Sequence, residues 1–129
     1  MKVLIIAPPI LKDQNDPSSL LTVPPNGYGG VENVIYGLAS GLIHYNVDGT
    51  LIGTPGSRTM NGLEIVREPR NASQIRKWIY KNYHEFDVIH DHGCGLVFNR
   101  QHDTKKIAYI ATHHKTGVSP YPKNTVYLS

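Results

Sequence analysis

The chain has 129 residues, 40% apolar and 18% charged, with a formal net charge of +3 and a pI near 9.0. That is enough for one domain with a proper core and too little for two. Its lysines and arginines are scattered rather than gathered in a patch, which excludes a nucleic-acid footprint, and the single cysteine, Cys94, excludes an internal disulfide and fits a reducing compartment.

The first element is the apolar run Val3 to Ala7, of the kind that fills a parallel strand covered on both faces. Pro8-Pro9 interrupts the run and Lys12-Asp13 follow, so it is not a signal peptide. Nowhere does an apolar run approach the ~20 residues needed to cross a bilayer. Residues 8–28 form a long loop rich in Pro, Asn, Asp and Ser, and loops of that length in compact domains are usually functional.

Gly27-Tyr28-Gly29-Gly30-Val31-Glu32 then opens a helix from about Gly30 to Tyr45. Glycine stands where a capping side chain would sit, which leaves backbone N–H groups able to hold an anion. Val31, Val34, Ile35, Leu38, Leu42 and Ile43 recur at helical spacing as its core face, joined by Tyr36. A second strand covers Val47 to Gly53, and Thr54-Pro55-Gly56-Ser57 turns the chain. Leu63 to Val66 reads as a short strand. Ala72 to Tyr83 reads as a second helix with Ile75, Trp78, Ile79 and Tyr83 on one face. Asn71-Ala72-Ser73 matches a glycosylation sequon, which carries weight only in a secreted protein. Asp87 to His90 is a third main strand, roughly Gly95 to His102 a short helix, Ile107 to Thr112 a fourth strand and Thr125 to Leu128 a fifth. This alternation predicts an α/β fold with a single Rossmann-like, doubly wound, mainly parallel sheet, whose ligands gather beyond the carboxyl ends of the strands.

Those ends carry the polar residues. Strand one leads to the Gly-Gly helix tip, the third main strand ends in His90-Asp91-His92, and the fourth in Thr112-His113-His114-Lys115. Alternation directs His90 and His92 to one side and Asp91 to the other. His90, at the end of an apolar strand, reads as structural, and Cys94 lacks an activating partner in the sequence.

Strand one, the long loop, Tyr28-Gly29-Gly30-Val31-Glu32, the helix ending in Gly41-Leu42, Asp87 to His92 and Ala111-Thr112-His113-His114 together resemble the N-terminal half of the GT-B glycosyltransferases of family 4. The resemblance spans nearly the whole chain in order. It implies two Rossmann-like domains facing each other across a cleft, the C-terminal one binding a nucleotide sugar and the N-terminal one the acceptor. Transfer would be metal-independent and retaining, with no cofactor beyond the nucleotide-sugar donor as substrate. By the family pattern Gly29 and Gly30 approach the donor diphosphate, His114 sits near the transferred sugar and His92 lies beside the acceptor pocket. His114 and His92 are the catalytic candidates, and Glu32, Asn33 and His113 fall on the acceptor side.

The chemistry fits in each part. A diphosphate leaving group gains negative charge where a helix N-terminus offers positive charge, and a histidine near neutrality can orient a sugar hydroxyl. Glu32 works against it, since its carboxylate repels phosphate or satisfies the helix start itself. A dinucleotide fingerprint fails, because Glu32 occupies its third glycine position and the loop after strand one is too long. A metal hydrolase could draw on His90 or His92 with Asp91, His113 and His114, but His92 is followed by Gly93-Cys94 and not by further ligands. The remaining alternative is a non-catalytic module that binds a sugar or phosphate.

In the resembled family an acidic E-x7-E motif lies in a donor domain that would follow Ser129. The resemblance therefore implies a chain truncated before its final helix and inactive alone. Its exposed apolar surface would pair with a donor-binding domain or with a second copy. The expected location is cytoplasmic, with the membrane periphery as an alternative.

Overall fold

The computed structural model describes residues 1–7, 30–53, 57, 62–67, 69, 71–92, 108–113 and 125–127. They form six strands, β1 (Lys2–Ile6), β2 (Asp48–Ile52), β3 (Leu63–Val66), β4 (Val88–Asp91), β5 (Ala108–His113) and β6 (Thr125–Tyr127), with helices α1 (Gly30–His44) and α2 (Ala72–Asn82). The strands make one sheet in the order β3-β2-β1-β4-β5-β6, and every pairing is parallel. The α/β Rossmann-like expectation holds, with element ends displaced by a residue or two. The second helix tightens at its end into a 3-10 turn over Tyr83–Glu85, and the expected helix at 95–102 lies outside the described residues.

β1 explains why the sheet is covered twice. Val3, Ile5 and Ala7 join Ile35 and Ala39 of α1, together with Leu51 and Leu63. Leu4 and Ile6 join Ile75 and Ile79 of α2, with Ile52, Val66, Ile89, Tyr109 and Ala111. A strand apolar at every position can be satisfied only in this way. The Lys2 N–H donates to the Asp87 carboxylate at 2.8 Å and the Asp87 N–H returns a 2.8 Å bond to the Lys2 carbonyl, which sets the register at the start of β4.

Side-chain and backbone chemistry set the helix ends. Asn71 caps α2, its side-chain oxygen accepting from the Gln74 N–H at 2.9 Å, so the sequon asparagine is a helix cap. At the far end of α1, Asn46 takes φ 59° while the Asn46 and Val47 N–H groups bond the Ile43 and Leu42 carbonyls. This pair of bonds around a left-handed residue is a Schellman termination, and Asn tolerates it better than most side chains. Gly62 turns the chain into β3 at φ +86°, and a Cβ there would lie 3.1 Å from the Ile43 side chain.

α1 departs from the face read off its periodicity. Val34 and Leu38 are exposed (37% and 43%), whereas Glu32, Ile35 and Ala39 are buried, with Tyr36, Leu42 and Ile43 partly so. The helix is rolled toward its Glu32-Ala39 side, where the small Ala39 lets the backbone approach the sheet. Counting apolar residues could not show this, because the buried stripe includes a carboxyl group. On β5, Ala108 and Ile110 are also exposed on the α1 side of the sheet.

The buried polar pair in the α2-side core is Asp91 and Tyr109. The Tyr109 hydroxyl donates to Asp91 Oδ2 at 2.6 Å, and both residues are buried. Tyr109→Phe is expected to destabilise the domain by about 1–3 kcal/mol, measured as the shift in urea-unfolding free energy, because it removes a hydrogen bond from a buried carboxyl oxygen. An unchanged midpoint would show that this bond contributes nothing.

Candidate functional site

A helix that joins two adjacent parallel strands must run back against them, so α1 begins at the carboxyl edge of the sheet. The chain order adds a second constraint. β2 and β3 extend the sheet on one side of β1, and β4, β5 and β6 extend it on the other, so the winding reverses between β1 and β4. Such a reversal opens a crevice beyond the carboxyl ends of the two strands. Both ladders reach past β1 here, with the Ala7 N–H bonding the Ile52 carbonyl at 3.0 Å and the His92 N–H bonding the Ile6 carbonyl at 3.1 Å. His92 thus stands directly beyond the end of β1.

Strand alternation then sorts the side chains. Val88 packs toward α1 and Ile89 toward α2, so His90 points to the α1 side and Asp91 to the α2 side, where it meets Tyr109. Thr112 shares the His90 side. His90 Nε2 and Thr112 Oγ1 lie 2.6 Å apart in a hydrogen bond whose direction follows the imidazole tautomer. The His90 and His92 rings stack, with centroids 4.2 Å apart and planes at 28°. His90 is half-buried and His92 and Thr112 are buried.

Glu32 is the third residue of α1 and is only 2% exposed. Its Oε1 has no hydrogen-bond partner among the described residues. Burial raises its pKa above the ordinary 4.5, and a hydrogen bond from its own backbone N–H opposes that shift without cancelling it. The carboxyl therefore sits on the N-terminal turn of its own helix with its pKa raised by burial.

The residues expected from sequence divide as follows. Gly30 begins α1, and His92 and Glu32 are buried at the carboxyl edge, while Asn33 is exposed. His113 closes β5. Gly29 and His114 lie outside the described residues, as does Cys94. The His90-Thr112 bond and the Asp91-Tyr109 pair did not figure among the expectations. Their signal was the two-residue alternation on neighbouring strands, which becomes a contact only once β4 and β5 are known to be adjacent. The metal reading drew on His90 or His92 with Asp91, but the sheet separates that carboxylate from both rings. No group of three or more metal-ligating side chains occurs among the described residues.

No protein-family model and no curated protein matches the chain. A solved structure does. The crystal structure of AviGT4, a glycosyltransferase involved in avilamycin A biosynthesis, matches 89% of this chain with a TM-score of 0.75 and 31% sequence identity. The chain spans about a third of that protein's length, at 32%. The similarity is to part of a glycosyltransferase. Among the described residues no helix is long and apolar enough to cross a membrane.

Glu32 generates a pH signature of known sign. A carboxyl whose pKa is raised on folding binds its proton more tightly in the folded state, so its contribution to stability falls as pH rises from the unfolded value through the folded one. Glu32→Gln, which keeps the shape and cannot ionise, is expected to be more stable relative to wild type at pH 7 than at pH 4. Thermal unfolding across that range checks it. A difference between the two proteins that does not change with pH would mean that Glu32 titrates normally.

Proposed function

We propose that residues 1–129 form the acceptor-side domain of a GT-B, family 4-like glycosyltransferase, which moves a sugar from a nucleotide-sugar donor to an acceptor with retention of configuration and without a metal. The observation that carries this reading is the 31% identical match over 89% of the chain to a glycosyltransferase. The grouping of His90, His92 and Thr112 at the carboxyl edge, beyond the winding reversal, supports it independently, because ligands of such folds gather there.

In this reading the backbone at Gly29 and Gly30 approaches the donor diphosphate, whose negative charge the N–H groups of the helix tip receive. His92 orients an acceptor hydroxyl, His113 and Asn33 flank the acceptor, and His114 lies near the transferred sugar. No cofactor is needed, since the nucleotide sugar carries the leaving group. The nucleotide is held by a donor-binding domain outside these residues. The exposed Ala108-Ile110 side of β5 suits contact with a further part of the enzyme or with a second copy.

Two measurements test the reading. The purified 129-residue chain is expected to transfer no sugar, and turnover of a nucleotide sugar by the chain alone would show that it needs no second domain. A titration of the isotopically labelled chain with monosaccharides and with UDP-glucose, followed by amide NMR, is expected to perturb Gly30, His92 and Thr112. Silence of all three amides toward every sugar tested would sink the acceptor-domain assignment, and response to free sugars in the absence of any response to UDP-glucose would favour a non-catalytic binding module.

A further inference from the structure

We propose that the outer face of α2 is a docking surface for an anionic lipid membrane. The proposal rests on the placement of charge in the fold and is independent of the acceptor-domain reading.

Lysine and arginine are scattered along the sequence, but the fold sorts those that the structure describes. Of the five among the described residues, Arg76, Lys77 and Lys81 belong to α2, whereas none of the six described aspartates and glutamates does. On α1 the balance is the reverse, with one acid, Glu32, and no lysine or arginine. The two helices that cover the sheet therefore differ in charge, and α2 is the positive one.

Helical spacing gathers the exposed part of that charge into a stripe. Ile75 and Ile79 are buried in the core beneath α2. On the side away from them Lys77, Tyr80 and Lys81, followed by His84, recur at intervals of three and four. All four are exposed, Tyr80 at 44%, and Arg76 is half-buried on the flank. Surface helices commonly set lysine four residues from glutamate, since that pairing stabilises them. Here Lys77 stands four residues from Lys81, a repulsive spacing, and α2 contains no acid to offset it. The acids that follow, Glu85 and Asp87, lie beyond its end, and Asp87 accepts from the Lys2 N–H at 2.8 Å.

A surface of anionic headgroups matches this stripe in charge and in extent. Each lysine or arginine near such a surface contributes roughly fivefold in affinity, so the three on α2 supply a preference of about a hundredfold for anionic over neutral lipid. Tyr80 stands among the cations, where an amphipathic ring settles at headgroup level. The contact is peripheral, since no helix among the described residues is long and apolar enough to cross a membrane. Because α2 lies along a face of the sheet, docking through it leaves the carboxyl edge with His90, His92 and Thr112 open to the side.

The test is co-sedimentation of the 129-residue chain with vesicles of phosphatidylcholine alone and of equal parts phosphatidylcholine and phosphatidylglycerol, at about 0.05 M and about 0.5 M salt. Wild type is expected to pellet with the anionic vesicles at low salt, to be released at high salt, and to stay in solution with the neutral ones. Lys77→Gln/Lys81→Gln is expected to weaken anionic-vesicle binding by about twentyfold, and Lys77→Glu/Lys81→Glu by more. Lys105→Glu/Lys106→Glu, which makes the same change in net charge elsewhere in the sequence as the glutamate pair, is expected to keep most of the binding. Should the glutamate pair fail to fold, as judged by circular dichroism, the glutamine pair carries the test. Absence of sedimentation, equal binding to both kinds of vesicle, or an equal loss in the Lys105/Lys106 variant would overturn the proposal. So would tighter binding to single-stranded RNA than to the anionic vesicles in the same buffer, which would assign the face to nucleic acid. No sugar is present, so failure here leaves the acceptor-domain reading standing, and failure of sugar binding leaves the docking face standing.

Discussion

Parallel strands cannot be joined by tight turns, and each connection must carry the chain back across a face of the sheet before the next strand begins. In this domain that constraint acts in both directions from β1, because β2 and β3 are added on one side and β4, β5 and β6 on the other. Connections of constant hand then place α1 and α2 on opposite faces. β1 is buried from both sides, which is why its run of aliphatic residues has no polar face. The same reversal sets the end of β4 beside the end of β1, with α1 beginning at that same edge of the sheet. The placement of the site residues follows from it.

Beyond the sheet edge, the polar groups are divided by strand alternation into two systems with different work. Asp91 and Tyr109 satisfy each other inside the α2-side core and help hold β4 to β5. One residue away on each strand, His90 and Thr112 bond on the α1 side, where His92 stacks and Glu32 is buried at the helix start. A single step along a strand decides whether a side chain serves the core or the crevice. Glu32 is the tension point of this arrangement, because its carboxyl is buried on the first turn of α1 and desolvation raises its pKa.

Much of the fold was legible because its signals are local. The aliphatic runs, the glycine and proline punctuation and the period of α2 mark the elements, and their alternation implies a parallel sheet. The Asn71 cap was also written in the sequence, although it coincides with a glycosylation sequon. The roll of α1 was not legible. A face drawn through Val34 and Leu38 maximises apolar residues, but the sheet selects the face with Ala39, since a small side chain allows closer packing, and Glu32 is buried as a consequence. Strand alternation and chain order were enough to put His92 and the start of α1 at the carboxyl edge of the sheet, whereas the contacts His92 makes there depend on which strands are neighbours.

The order of residues alone determined the class of fold, the edge of the sheet on which its polar residues fall, and the side to which His90 and His92 point, all of which depend on neighbours within one segment. Tertiary structure decided which residues meet. Thr112 reaches His90, Tyr109 reaches Asp91, and Glu32 loses its water because strands 18 to 22 residues apart in the chain lie side by side and a helix settles on them at one particular angle of roll. Burial and contact between distant segments are properties of the packed whole, and the strength of each electrostatic interaction at the site is set by the water that packing excludes.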